Sequence, residues 1–328
     1  MSAAISADQP LVGVHVLVCA VNLPGPATGA RLKQLGATVT KVEPLSGDPF
    51  ATLSAHWYRD LTDGLDVRRM NLKDDASRAA LNDLLMLADV LITSSRVGSL
   101  RRLGLDHETL RGQFPRLCHV AIVGHAGDDA EIAGHDLTYQ AHAGLLQHGA
   151  MPQSLIADLA GVERAVNATL RLLYVRERQE RVRKSQSALL GNDSGEVPAV
   201  GLYAEVSLTD AARAFAQPLA YGATKPDGLL SGSDPFYCVY ESANGFIALA
   251  ALEPQFKTRL LAELQLGTLD AVRSASAGSD ALPVMLLRDQ SRDELRVKLS
   301  GIFRERTARE WEQWGLAHGL PIAEVRKY

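Results

Sequence analysis

Two short segments carry the residue types needed to move a proton on and off carbon. The first is Gly134-His135-Asp136-Leu137-Thr138-Tyr139 and the second is Ile156-Ala157-Asp158-Leu159-Ala160-Gly161. Each follows an apolar stretch and opens a helical pattern, so one imidazole and one carboxyl group stand at two helix starts. His titrates nearest neutrality of all side chains. A carboxyl group joins it in proton traffic when burial lifts its pKa. One group that takes a proton and another that returns it is the minimum for inverting a carbon centre. The competing reading is structural: an Asp before an apolar helical run is first of all a helix cap. The chemical reading requires the two segments to converge, which spacing alone does not establish.

The elements that would position them form an alternating pattern. Val14 to Val18 reads as a buried strand, followed by the turn Leu23-Pro24-Gly25-Pro26 and a helix from about Ala27 to Leu35. Thr38 to Glu43 alternates as a second strand, Asp74 to Ala88 has helical spacing, and Asp89 to Ile92 reads as a third strand. Asp106 opens a short helix before a fourth strand at Leu117 to Val123. Such alternation predicts an α/β fold, an open, mostly parallel Rossmann-like sheet. Ligands of such sheets gather beyond the carboxyl ends of the strands. The segments 23–25, 43–48, 94–98 and 124–139 therefore carry most interest. Leu159 to Val175 is a long apolar-faced helix that runs into a mixed-charge stretch, Arg176 to Lys184, expected to be solvated. Gly201 to Val206 and Leu208 to Phe215 suggest a strand and a helix. Strands at 235–240 and 245–252 around a Ser242-Ala243-Asn244-Gly245 turn, with helices at 254–266, 292–303 and 307–318, predict a smaller α+β domain. The expected division is a large domain over 1–190 to which 319–328 returns, a linker over 191–225, and a small domain over 226–318.

Bulk properties narrow the class. The chain has 328 residues, 46% hydrophobic and 22% charged, with a net charge of −4, so no basic field argues for nucleic acid. Cys19, Cys118 and Cys238 lack metal-type spacing and read as reduced thiols. No apolar run approaches the ~20 residues that span a bilayer. A cytoplasmic location without membrane attachment is the expectation.

Several motifs together resemble the family III CoA-transferase superfamily (the CaiB/BaiF group), nearest its α-methylacyl-CoA racemase branch. They are Leu11-Val12-Gly13-Val14 through Gly25-Pro26, Lys41-Val42-Glu43-Pro44 with Gly47-Asp48-Pro49, Asn71-Leu72-Lys73, Arg96 and Gly98, the Gly134 to Tyr139 segment, Asp158 with Ala160-Gly161, Pro235-Phe236-Tyr237, and Glu253-Pro254-Gln255-Phe256. The resemblance implies a homodimer of interlinked chains, ring through ring. It implies His135 and Asp158 as the acid/base pair, with Glu253 as the carboxylate partner of the imidazole. The implied reaction is racemisation of 2-methyl-branched acyl-CoA through an enolate, with no metal and no cofactor beyond the coenzyme A of the substrate. A CoA-transferase using Asp158 as nucleophile is the alternative, and a noncatalytic CoA-binding homologue the second. Lys41, Lys73 and Arg96 would meet the CoA phosphates. Arg69, Met70, Asn71 and Leu72 would line the adenine and pantetheine path. Gly98, Gly134, Asp136 and Tyr139 complete the expected CoA and substrate contacts. The free N–H groups of the helix after Ala157 would hold the enolate oxygen. Val162-Glu163-Arg164 replaces glycines that usually follow the aspartate, which is expected to crowd the thioester.

Overall fold

In a computed structural model, residues 6–147, 149–190, 201–268 and 289–327 are described. The chain divides between Ala216 and Gln217 into two compact units.

The first unit holds a six-stranded sheet in the order β3-β2-β1-β4-β5-β6, and every pairing is parallel. The strands are β1 (His15–Cys19), β2 (Thr38–Glu43), β3 (Asp66–Arg69), β4 (Val90–Thr93), β5 (Cys118–Val123) and β6 (Tyr203–Ser207). All of β4 and β5 is buried, as expected of strands covered by helices on both faces. Strand order reverses between β1 and β4. That switch point is where loops diverge and leave a crevice at the carboxyl ends.

Helix α1 (Pro24–Gln34) starts on a proline at its first position, where a missing N–H costs nothing. A Cβ on Gly25 would overlap the backbone carbonyl of Ala20, so only glycine lets α1 start this close to β1. After β2 come α2 (Pro49–Leu53) and α3 (Ala55–Thr62). Helix α4 (Asp75–Leu87) follows β3, and α5 (Val97–Leu103) and α6 (His107–Gln113) lie between β4 and β5. Asp106 caps α6 by accepting the Thr109 N–H at 3.1 Å, as its sequence position predicts. Beyond β5, a 3-10 turn at Gly127–Glu131 leads into α7 (Asp136–Ala143). Helix α8 (Ile156–Leu190) has 35 residues, about 52 Å at 1.5 Å per residue. After β6, α9 (Leu208–Phe215) packs beside α8.

Three expectations need correction. The charged stretch after Val175 is not uniformly solvated: the Arg176 guanidinium is largely buried, bonded to Asp89 Oδ1 at 2.8 Å and to the Arg116 carbonyl at 2.9 Å. Residues 201–216 are not linker, because β6 extends the large sheet along β5. Asp66–Arg69 is an edge strand that the sequence does not announce: all four residues are exposed, so no apolar alternation marks it. Finally, 319–328 does not return to the large domain. Ile322–Glu324 is a strand, β9, paired antiparallel to β8 of the small sheet. The part of the proposed linker at 191–200 lies outside the described residues.

The second unit begins with the short helix α10 (Gln217–Ala220). Its sheet is β7 (Tyr237–Ser242), β8 (Gly245–Ala250) and β9 (Ile322–Glu324), in that order. Helices α11 (Pro254–Glu263), α12 (Asp289–Phe303) and α13 (Ala308–Ala317) supply its other core faces. Phe236, Tyr240, Ile247, Leu260, Leu299, Phe303 and Trp311 form the core. The Trp311 indole N–H reaches the Phe303 carbonyl at 2.8 Å, so the large ring is buried without a lost hydrogen bond. Asp234 is buried against Lys257 at 3.1 Å and accepts the Phe236 N–H, a structural use of that carboxylate.

Candidate active site

A cavity of about 280 Å³ opens at the switch point of the large sheet. One wall is polar, with Asn22 after β1 and Ser94, Ser95 and Arg96 after β4. The other is formed by Val123, Gly124, Ala130, Ile132, Ala133, Gly134, His135 and Tyr139. Four expected residues, Arg96, Gly134, His135 and Tyr139, thus share one space.

His135 is the N-cap residue of α7. Its backbone is fixed from both sides by Thr138, whose Oγ1 accepts the His135 N–H at 3.1 Å and donates to the His135 carbonyl at 2.8 Å. The imidazole is exposed at the cavity. Tyr139 is buried one turn later. A Cβ on either Gly124 or Gly134 would collide with its ring, so both glycines exist to seat that phenol. Burial raises the Tyr139 pKa, Asp158 raises it further, and Arg96 lowers it, which puts all three groups in one electrostatic neighbourhood.

Asp158 lies in the first turn of α8. It does not line the cavity wall. Asp136 joins the two helix starts. Its Oδ1 accepts the Asp158 N–H at 3.0 Å and its Oδ2 accepts from Gln140 Nε2. Gln140 Nε2 also donates to the Ser154 carbonyl at 2.9 Å, closing the loop before α8. Burial pushes the Asp158 carboxyl up to about 7, and the Asp136 charge adds to the rise. A carboxyl group poised there exchanges protons at neutral pH.

Other expectations change. Asp136 is buried with both oxygens engaged, so it clamps α7 to α8 and offers nothing to a substrate. The Asp158 amide is consumed by that clamp and is not free for an enolate oxygen. Lys41 is wholly buried between Glu43 Oε1 at 2.9 Å and Asp48 Oδ2 at 2.8 Å, so it presents no ammonium to a phosphate. Gly98 lies outside the cavity lining and gives its N–H to Glu131 at 2.9 Å. The 69–73 segment does not enter this cavity. Met70 and Leu72 are half-buried against the core cluster of Leu17, Val42 and Leu91. Asn71 Oδ1 accepts the Lys73 N–H, and Arg69 and Lys73 are exposed. Glu253 is the exposed N-cap residue of α11 in the second unit. Val162 packs with Leu23, Ala27 and Phe50, and Glu163 pairs with Arg31 at 2.9 Å. Neither these two nor Arg164 lines the cavity, so the missing glycines leave it open.

The sequence reading singled out the 94–98 segment without giving Ser94 or Ser95 a role, and it missed Asn22, three residues beyond β1. Their signal was position: all three lie just past buried strands at the switch point, where side chains face the crevice.

The sequence profile of CoA-transferase family III matches residues 11–328. Mouse alpha-methylacyl-CoA racemase is 30% identical over 315 residues, 92% of this chain and 74% of that relative. Succinate–glutarate CoA-transferase of Agrobacterium fabrum is 34% identical over 153 residues, 42% of this chain and 38% of that relative. The crystal structure of a hypothetical protein from Mycobacterium tuberculosis superposes with a TM-score of 0.74 at 24% identity, over 97% of this chain and 84% of that one. A CaiB/BaiF family protein from Brucella suis gives 0.72 at 21% identity, over 98% and 85%. With the profile spanning nearly the whole chain and the same fold in both crystal structures, this protein belongs to CoA-transferase family III.

Proposed function

We propose that the chain is an acyl-CoA racemase or epimerase acting on 2-methyl-branched acyl-CoA by 1,1-proton transfer. The observation that carries the reading is the Asp158 carboxyl held near 7 at a helix start clamped to the turn bearing His135. The thioester carbonyl acidifies the α-hydrogen. His135 takes it from one face as a neutral base, a planar enolate forms, and protonated Asp158 returns a proton to the other face. The roles exchange for the opposite epimer. Since the Asp158 amide is occupied and the Thr138 amide bonds the His135 carbonyl, the enolate oxygen draws its donors from the Asp136 and Leu137 amides that open α7 beside His135. Tyr139 closes the site, and Arg96 supplies positive charge toward the CoA phosphates. Arg69 and Lys73, both exposed, add to that charge from the end of β3. Glu253 enters through the family resemblance alone, as the carboxylate orienting the imidazole. A homodimer of interlinked chains belongs to the same reading.

A second reading has Asp158 attack the thioester as a nucleophile, moving CoA between acids. A carboxyl group with a pKa near 7 is half ionised at neutrality, and relatives with transferase names share this family. Chiral 2-methylacyl-CoA incubated in heavy water, with and without a free-acid acceptor, separates the two. Scrambled stereochemistry with solvent deuterium at the α-carbon supports the racemase, and CoA passing to the acceptor supports the transferase. His135→Ala should slow α-exchange by roughly 10²–10⁴, the usual worth of a positioned acid or base. Undiminished exchange in that variant removes His135 from the role.

A further inference from the structure

Lys41 has no part in the chemistry above, yet its surroundings are unusually specific. Its ammonium is completely buried and held by two carboxylates, Glu43 and Asp48. Glu43 also accepts the Tyr58 hydroxyl and has Arg69 at 4.0 Å. Buried ion groups of this kind add little net stability compared with apolar packing, because desolvation offsets their attraction. What they fix is geometry.

That geometry leads to the cavity. The second Asp48 oxygen, Oδ1, accepts the Phe50 N–H and the Asn22 N–H, both at 2.9 Å. Asn22 has φ of 61°, the left-handed region that costs a non-glycine residue about 1–2 kcal/mol and that Asn tolerates better than most. Asn22 lines the cavity. The preceding N–H, of Val21, donates to Ser94 Oγ at 3.0 Å, and Ser94 lines the cavity as well. The chain ends after β1, β2 and β4 are therefore one hydrogen-bonded assembly, with the Lys41 ammonium as its neutralising centre.

We infer that Lys41 is a positioning residue: through Asp48 it holds the Asn22 turn, and with it the polar wall formed by Asn22 and Ser94, without touching substrate. The kinetic part of the test rests on the acyl-CoA reading of the cavity; the hydrogen-exchange part does not.

Three variants decide it. Lys41→Met leaves Asp48 and Glu43 buried without their ammonium. Lys41→Arg keeps the charge. Lys41→Met combined with Asp48→Asn removes the ammonium and the Asp48 charge, leaves Glu43 to Tyr58 and Arg69, and keeps an Asn oxygen that accepts both N–H groups. In Lys41→Met the Val21 and Asn22 amides should exchange at least about tenfold faster, and in the other two stay within about threefold of the parent. KM for 2-methylacyl-CoA should rise about tenfold in Lys41→Met with a smaller change in kcat, and recover in the other two. The salt dependence of CoA affinity should keep its slope in all three, whereas Arg96→Ala flattens it. Unchanged amide exchange in a folded Lys41→Met protein, or a slope flattened as in Arg96→Ala, overturns the inference. Should Lys41→Met fail to fold, fast exchange in the double variant overturns it equally. If the parent protein neither binds nor turns over acyl-CoA, the substrate reading fails, and the exchange rates still decide the role of Lys41.

Discussion

At the residue scale, Asp158 and its neighbour Asp136 form an asymmetric pair. Asp136 accepts one N–H on each oxygen and serves as a clamp, while Asp158, desolvated beside it, is pushed up to about 7. This separation assigns one carboxylate to architecture and leaves the other for protons. It also makes a pH prediction. The direction in which His135 removes the proton needs Asp158 protonated, so kcat/KM for that epimer falls as pH rises through about 7. Asp136→Asn keeps the acceptor for the Asp158 N–H and removes the charge. The falling limb should then move to lower pH. A pH profile of α-deuterium exchange in the two proteins checks this, and an unmoved limb rejects the coupling.

At the element scale, the closest approaches are set by glycines and by chain direction. Helix α1 can begin where it does only because Gly25 has no Cβ against the Ala20 carbonyl. Gly25→Ala should cost about 1–3 kcal/mol through overpacking against rigid backbone. Thermal unfolding should show a drop of several degrees, and a change under about 1 °C would mean the helix start is looser than this. Elements with a buried face were legible in the sequence: β1, β2, β4 and β5, the helix at 75–87, and α11, α12 and α13 of the small unit. So were the two helix starts that carry His135 and Asp158, though not the Asp136 clamp that ties one to the other. Edge strand β3 was not legible, since Asp-Val-Arg-Arg is exposed throughout and is held by backbone bonds to β2. Strand β9 has three residues, too few for alternation to register. Lys41 misled for another reason. A lysine after apolar residues near a strand end reads as surface charge, and only the fold brings Glu43 and Asp48 around it.

At the scale of the whole molecule, two buried titratable groups pull stability in opposite directions with pH. His119 is buried with Nε2 on Thr93 Oγ1 at 2.9 Å and Nδ1 without a partner, and burial lowers its pKa to about 4. The unfolded chain binds a proton at His119 below about 6.5 while the folded one does not, so this group raises stability as pH climbs from about 4 to 6.5, by up to ~3 kcal/mol. Asp158 does the reverse. Its folded form holds a proton from about 3.8 to 7 where the unfolded form has lost it, so its contribution falls as pH rises. Denaturant unfolding at pH 4.5 to 7 should therefore show a steeper rise in Asp158→Asn and a shallower one in His119→Gln than in the parent. Equal slopes in all three would mean that neither group titrates as its burial dictates. Asp158→Asn should also be more stable than the parent at pH 7.5, which is the stability a functional carboxyl group gives up.

The long helix has a mechanical consequence. Asp158 rides on its first turn, and Arg176, about 27 Å further along, is bolted to Asp89 and to the Arg116 carbonyl at the amino ends of β4 and β5. The rod is pinned at both ends of its inner half, by Asp136 in front and Arg176 behind. Beyond Arg176, Glu180 pairs with Arg116 as a third bolt, so a load on the far end of the helix reaches the carboxyl group only through two ion pairs.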